Sequence, residues 1–149
     1  MKDAKEAIRS GIIRHHGLDQ TADDSDLSEL PPGWRWTRLV EVTRPVRYAI
    51  KRGPFGSAIR KDMFVPSGVK VYEQQHAISG DFTKGRYYIN EAKFEELSAF
   101  ELHPNEILVS CSGTVGKVAI VPPNVERGII NQALLKLSST NPPYSTSIF

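Results

Sequence analysis

Short β-branched and aromatic runs separated by turn residues dominate the hydrophobic pattern of this chain. Residues 69–72 and 86–89 are predicted to be strands, and the polar segment Glu73-Gln74-Gln75-His76 between them is predicted to be a loop. The β-branched runs 107–111 and 117–121 are joined by Ser112-Gly113-Thr114-Val115-Gly116, which predicts a hairpin. Residues 129–137 predict one further strand, with Asn131 interrupting its apolar face.

Helical spacing occurs in two places. Residues 2–17 mix charged and apolar residues in a weak amphipathic pattern that ends at a glycine. Asn90 can cap a second helix, which the apolar spacing extends to Phe100. The predicted fold class is therefore α+β: a β-rich domain with a few short helices, preceded by a short N-terminal helix and a linker.

The linker is acidic, since five carboxylate residues and no basic residue lie between Gly17 and Trp34. We expect residues 1–29 to be the helix and linker, and residues 30–149 to form a single domain. The turn Leu30-Pro31-Pro32-Gly33 delivers Trp34 and Trp36, which are predicted to plug the core because of their large apolar surface.

Overall composition permits several functions. A hydrophobic fraction of 40% is enough for a modest core, and a formal net charge of +2 allows a polyanionic partner without requiring one. The single cysteine, Cys111, excludes an internal disulfide and a multi-cysteine zinc site. No apolar run is long enough for a membrane helix, so the expected location is the cytoplasm.

Charge is distributed unevenly. Between Val42 and Lys61 there are six basic residues and no acidic one: Arg44, Arg47, Lys51, Arg52, Arg60 and Lys61. Within this run, Gly53-Pro54-Phe55-Gly56-Ser57 predicts a tight loop with close backbone approach, from which the basic flanks would project together.

Enzyme motifs are weak. The segment 113–117 lacks the spacing of a phosphate-binding loop and no helix follows it, which argues against nucleotide binding. Cys111 as a nucleophile would need a base, for which His76 and His103 are the candidates, although a lone cysteine at a strand end is usually a small core residue. No metal-ligand spacing is present, so no metal site is predicted.

Four ordered motifs carry a resemblance. The segments 30–34, 53–57, 107–117 and 130–132 closely resemble the target-recognition domain of type I restriction-modification specificity subunits. The resemblance covers residues 30–137 and implies a non-catalytic module that binds one half of a bipartite DNA target. It also implies a partner methyltransferase (modification) subunit that uses S-adenosylmethionine, whereas this chain needs no cofactor.

Further partners implied by the resemblance are the restriction/motor subunit and a second specificity half-subunit or self-association. The family usually has two such domains, whereas this chain ends at Phe149 before the expected helical part. We therefore expect a half-subunit, an excised domain or a truncated product, and these alternatives stay open. A protein-interaction remnant is the main rival function; a small nucleotide-binding or cysteine enzyme is a weaker one.

Site residues follow from side-chain chemistry and the resemblance together. Arginine and lysine suit phosphates and guanine, and glutamine suits adenine. Predicted phosphate contacts are Lys51, Arg52, Arg60, Lys61, Lys84, Arg86 and Lys117. Predicted base-reading residues are Gln74, Gln75 and His76, with Ser57 second. Predicted scaffold residues are Gly53, Phe55, Gly56, Gly113, Thr114, Gly116, Asn131 and Gln132.

Overall fold

The computed structural model describes residues 28–140. The predicted N-terminal helix, most of the acidic linker and the tail 141–149 lie outside the described residues. Within 28–140 the helices are α1 (Leu39–Val42), α2 (Gln74–Ser79) and α3 (Glu91–Glu96), with 3-10 turns at Gly56–Ala58, Lys61–Met63 and Ser98–Phe100. The strands there are β1 (Ile50–Arg52), β2 (Val69–Tyr72), β3 (Tyr87–Ile89), β4 (Ile107–Ser110), β5 (Val118–Ile120), β6 (Gly128–Ile130) and β7 (Leu134–Leu137).

Two sheets form the framework. A four-stranded antiparallel sheet has the order β1-β7-β4-β5, and a three-stranded mixed sheet has the order β3-β2-β6, with β2 parallel to β6. The predicted α+β class is confirmed. The predicted strands at 69–72 and 86–89 and the predicted hairpin are confirmed as well, since Leu108 pairs with Ala119 across β4 and β5.

Strand β2 lies between two hydrophobic clusters. Val69 and Val71 belong to one cluster and Tyr72 to the other, because successive side chains of a strand point to opposite faces. Strand β6 divides in the same way, with Ile129 on one side and Ile130 on the other. The three-stranded sheet is therefore the central layer of the molecule.

The strand predicted over 129–137 is wrong, because this segment forms two strands in different sheets. Asn131 ends β6: its side-chain Oδ1 accepts a hydrogen bond from Ala133 N at 3.0 Å, and its carbonyl accepts one from Leu134 N at 3.1 Å. These bonds bend the chain in a turn of the kind asparagine favours. The chain thereby passes from the central sheet to the four-stranded one.

The loop predicted at 73–76 is also wrong, because most of it belongs to α2. Glu73 N donates to the imidazole Nδ1 of His76 at 2.9 Å at the start of this helix. Gly80, in the left-handed conformation with φ 68°, ends it and donates to the carbonyl of His76. Local capping thus makes a helix of a segment whose polarity favoured a loop.

Helix α3 begins as predicted, since Oδ1 of Asn90 accepts a hydrogen bond from Lys93 N at 2.8 Å. It ends at Glu96, and a 3-10 turn continues to Phe100. The predicted burial of the two tryptophans is wrong: Trp34 is 64% exposed and Trp36 is 55% exposed. The turn forms, with Trp34 N donating to Pro31 O, and the indole Nε1 of Trp36 donates to Ser28 O at 3.0 Å, a partner within the same surface segment and not in the core.

In the part of the chain that the structure describes, none of the helices combines the length and apolar character needed to cross a membrane.

Candidate functional site

Strand direction brings five segments, four loops and the start of α2, to one edge of the molecule. β1 and β4 are antiparallel to β7, so both end where β7 begins, and β5 begins there too. β2 and β6 are parallel, β6 leads into β7 and β3 is antiparallel to β2. The segments at this edge, which we call the loop rim, are 52–57, 73–75 (the start of α2), 84–86, 111–117 and 131–133.

Main-chain hydrogen bonds tie these loops together. Gly53 N donates to Leu134 O at 2.9 Å, and Cys111 N donates to Ala133 O at 2.7 Å. Asn131 N donates to Tyr72 O at 2.9 Å, which joins the central sheet to the same frame. The turn 131–133 is therefore the centre of the loop rim, with a neighbouring loop bonded on each side.

Gly53 packs directly on that turn. A Cβ atom at Gly53 would lie 1.8 Å from the carbonyl oxygen of Asn131, so only glycine fits there. The close backbone approach predicted for the 53–57 loop is confirmed at this residue. The two motifs that contain Gly53 and Asn131, far apart in sequence, form one contact.

The hairpin turn has its own internal frame. The hydroxyl of Ser110 donates to Thr114 O at 2.6 Å and accepts from Lys117 N at 2.9 Å. Gly113 and Gly116 have φ of 63° and 80°, a region that glycine adopts without strain. This geometry leaves Lys117 exposed at the start of β5.

Two exposed arginines of the loop rim lie on aromatic rings. The guanidinium carbon of Arg52 is 4.8 Å from the ring centroid of Phe55, itself 62% exposed. The guanidinium of Arg86 lies 4.9 Å from the ring of Tyr87. Contact with a ring restricts the side chain while leaving the planar donor edge free for an acceptor.

Other predicted phosphate contacts are placed differently. Lys51 points away from Arg52, and its ammonium lies 4.8 Å from the ring centroids of both Tyr48 and Phe100. The prediction that the basic flanks project together is wrong for Lys51, because neighbouring strand residues face opposite ways. Arg60 pairs with Asp62 at 3.2 Å, and Lys61 begins the following 3-10 turn.

Lys84 is exposed at the loop rim but forms an ion pair with Asp81 at 3.3 Å. Hydrogen bonds from the hydroxyl and amide of Thr83 lower the pKa of Asp81 to about 2. The Asp81 carboxylate is therefore charged throughout the neutral range. It offsets part of the positive charge that Lys84 brings to the loop rim.

Most predicted base-reading residues lie at the loop rim, but His76 does not. Gln75 and Ser57 are exposed, and the half-buried Gln74 sits beside Gly113, where a Cβ atom would lie 3.1 Å from the Gln74 Nε2. Gln132, predicted to be scaffold, is exposed, whereas Asn131 holds the turn.

His76 is fully buried, and both of its ring nitrogens are bonded within the chain. Nδ1 accepts from Glu73 N, so the proton is on Nε2, which donates to Lys84 O at 2.9 Å. Its predicted base-reading role is therefore wrong. Instead, His76 ties α2 to the 84–86 loop.

Sequence reasoning missed two buried lysines. Lys70, 1% exposed, donates to the carbonyls of Phe82 and Thr83 and pairs with Glu126 at 3.0 Å. Beside it, burial and the charge of Glu126 raise the pKa of the Tyr72 hydroxyl. The only sequence signal was a lysine inside an otherwise apolar strand, which predicts a side chain needing buried partners.

The second buried lysine, Lys136, pairs with Glu106 at 3.2 Å, and their side chains are 4% and 6% exposed. Ser138 Oγ and His103 N also donate to the Glu106 carboxylate. This pair lies at the end of the four-stranded sheet opposite the loop rim, since Glu106 precedes β4 and Lys136 is near the end of β7.

Metal-ligating side chains do not cluster among residues 28–140. No group of three or more His, Cys, Asp or Glu residues there could hold a metal ion. Cys111 is partly buried, and its sulfur lies 3.7 Å from Val109 O.

Comparison with known proteins gives a fold match. No protein-family model and no curated protein matches the sequence. A chain from a structure of the type I R-M system, concerned with its complex assembly and conformational transition, has 20% identity and a TM-score of 0.50. The match covers 91% of this chain and 28% of that chain.

The HsdS subunit from Thermoanaerobacter tengcongensis matches with 21% identity and a TM-score of 0.47, over 91% of this chain and 30% of that one. This chain thus spans less than a third of the length of either. At the level of the fold, the type I R-M resemblance expected from the four motifs is confirmed.

Proposed function

We propose that this chain is a DNA target-recognition module of a type I restriction-modification specificity subunit, and that the loop rim faces the duplex. The observation that carries the proposal is the convergence of exposed cations and amide side chains on one edge: Arg52, Arg86, Lys117, Gln75 and Gln132. The shared fold supports the same assignment. The rival interaction-only function would account for exposed cations through an acidic partner, and the salt titration against duplexes below separates the two.

In this proposal the arginines and Lys117 contact phosphates. Arg52 ends β1 and Arg86 precedes β3, and each of these strands is at an edge of its sheet. In this proposal the two arginines contact the DNA backbone on either side of the bases that are read. Their aromatic contacts reduce the entropy lost when a phosphate is bound. Affinity from these contacts is independent of sequence and falls with salt.

In the same proposal, exposed glutamine side chains of the loop rim contact the bases. A glutamine side chain can donate to and accept from adenine in the major groove at the same time. Gln75 and Gln132 are the exposed candidates, while Gln74 supports the hairpin turn. Gln132 is an addition to the set expected from sequence, and His76 leaves it.

In this proposal a partner subunit, and not this chain, catalyses DNA methylation. We place methyl transfer from S-adenosylmethionine in a cytoplasmic partner methyltransferase subunit, because a base inside a duplex must leave the stack before it can react. In this scheme the present chain is non-catalytic and positions that subunit, with the restriction/motor subunit and a second specificity half as further partners.

A salt titration tests the proposal. The full chain is titrated with a random-sequence duplex pool at several low salt concentrations, alone and with the partner methyltransferase subunit. The Arg52→Gln/Arg86→Gln/Lys117→Gln variant should lose affinity for all duplexes, and its salt slope should shrink by about 0.9 for each phosphate contact removed. An unchanged slope, or no salt-linked affinity in the parent chain, contradicts the proposal.

A further inference from the structure

A concave surface lies at the end of the molecule opposite the loop rim. It has a volume of about 510 Å³ and is lined by the segments before β1 and β4, by the end of β7 with the residues that follow it, and by the 3-10 turn Ser98–Phe100. The residues that matter here are Arg44, Arg47, Tyr48, Glu106, Lys136 and Ser138. We call this surface the far-end cleft. These segments lie at the strand ends remote from the loop rim, so the basic run seen in the sequence is divided between two ends of the molecule.

Charge in the far-end cleft is positive. The buried carboxylate of Glu106 is already taken by Lys136, Ser138 and the amide of His103. Arg44 and Arg47 are exposed, and within residues 28–140 neither forms an ion pair with a carboxylate. Two arginines at the mouth are therefore not balanced by acidic residues of the described chain.

The arginines are held in place by their backbone. Arg44 N donates to Ser138 O at 2.7 Å, which fixes this segment to the end of β7. Tyr48 has φ of 67°, a left-handed conformation that is strained for a bulky residue. The Arg47 guanidinium lies 4.6 Å from the ring of this tyrosine. The turn thus holds a strained residue against one of the two guanidinium groups.

We propose that the far-end cleft binds an acidic segment of a second protein, whose carboxylates pair with Arg44 and Arg47. Guanidinium groups bind carboxylates through two parallel hydrogen bonds, and the cleft is large enough for several residues of a peptide. DNA is disfavoured because a duplex on the loop rim would lie at the other end of the strands. This choice of a protein over DNA rests on the proposed function, because it takes the loop rim to be the face that binds the duplex.

Fluorescence anisotropy with labelled hexaglutamate at low salt tests the inference, with hexaglutamine as the uncharged control. Arg44→Gln/Arg47→Gln should weaken hexaglutamate binding about tenfold, whereas the matched rim variant Arg52→Gln/Arg86→Gln should change it less than about twofold. Arg44→Lys/Arg47→Lys keeps the charge and should recover only part of the affinity. Urea denaturation confirms that each variant is folded.

Three outcomes overturn the inference. The first is absence of charge-dependent hexaglutamate binding to the parent chain. The second is equal loss in both arginine pairs, which would show non-specific attraction. The third is a loss of duplex affinity in Arg44→Gln/Arg47→Gln as large as in the rim variant, which would make these arginines DNA contacts. The rim variant's own loss of duplex binding reports separately on the DNA proposal.

The acidic stretch of this chain itself gives a further test, of whether the ligand of the far-end cleft is part of the same chain. If replacing Asp19, Asp23, Asp24 and Asp26 by asparagine raised hexaglutamate affinity, that stretch would be competing for the far-end cleft, and the assignment to a second protein would be wrong. Unchanged affinity in this variant, together with loss in Arg44→Gln/Arg47→Gln, supports a partner in trans.

Discussion

The loop rim and the far-end cleft lie at opposite ends of the same strands, and they differ in where their charged side chains are placed. At the loop rim, exposed cations such as Arg52 sit on a frame of main-chain hydrogen bonds. At the far-end cleft, one ion pair is buried in the floor and two arginines stand at the mouth. We therefore expect that charge at the loop rim can change without unfolding the protein, whereas the charged pair in the cleft floor is part of the core.

The strongest test of this contrast is Glu106→Gln. It leaves the Lys136 ammonium buried without its counter-charge, so we expect a loss of about 3–5 kcal/mol in the free energy of unfolding. The control Glu91→Gln breaks the exposed pair with Arg127 and should cost at most about 1 kcal/mol. Urea denaturation measures both, and similar small losses would remove the distinction. Adding Lys136→Met to Glu106→Gln should recover much of the stability.

Gly53→Ala tests the main-chain frame of the loop rim. Its Cβ would collide with the Asn131 carbonyl, so we expect a loss of about 2–3 kcal/mol in stability together with weaker DNA binding. Gly56→Ala is matched, because it has φ of 64° and open space around its Cβ position. It should cost about 1 kcal/mol from backbone strain alone. Equal losses for the two variants would mean that the Gly53 contact is not a fixed part of the frame.

Gln132→Ala distinguishes the proposed base contact of Gln132 from the structural role of Asn131 in the same turn. Because Gln132 is exposed, we expect unchanged stability and a shift in sequence preference worth about 1–2 kcal/mol at one base pair, as for a lost bidentate contact. Asn131→Ala should instead destabilise the fold, since the Ala133 amide loses its acceptor. Selection from a random duplex pool with the partner subunit present measures preference. A uniform loss of affinity would make Gln132 a backbone contact.

Asp81→Asn should give the smallest effect, and in the opposite direction. It removes the charge that pairs with Lys84 but keeps an oxygen for the Thr83 hydrogen bonds, so duplex affinity should rise roughly twofold at low salt. Because the pKa of Asp81 is about 2, this gain should not vary between about pH 5 and pH 8. A loss of affinity would place Asp81 among the DNA contacts.

Sequence reasoning succeeded where the signal was local. The hairpin, the Asn90 cap and the close approach at Gly53 each follow from a few neighbouring residues whose conformational preferences agree. The prediction of one strand over 129–137 failed at Asn131, where a side-chain and a main-chain hydrogen bond form a turn between two strands. Prediction failed at His76 because polarity was taken as a sign of exposure, whereas both ring nitrogens find partners inside the fold.

The candidate site was recovered only in part, for a physical reason. Three of the four motifs, 53–57, 107–117 and 130–132, fall at the loop rim, but they do not show which side chains face outward from it. Strand alternation separates Lys51 from Arg52, although they are neighbours in sequence. The Lys136–Glu106 pair joins residues thirty positions apart, and no local pattern specifies such a partner.

The hydrogen bonds that join the rim loops at Gly53, Cys111 and Asn131 run between peptide groups. Peptide groups are the same in every residue, so replacing the exposed side chain at position 75 or 132 leaves those bonds intact. The side chains at these two positions can therefore be substituted without a compensating substitution elsewhere in the protein. A module built in this way is free to diverge in what it recognises while it keeps a single architecture.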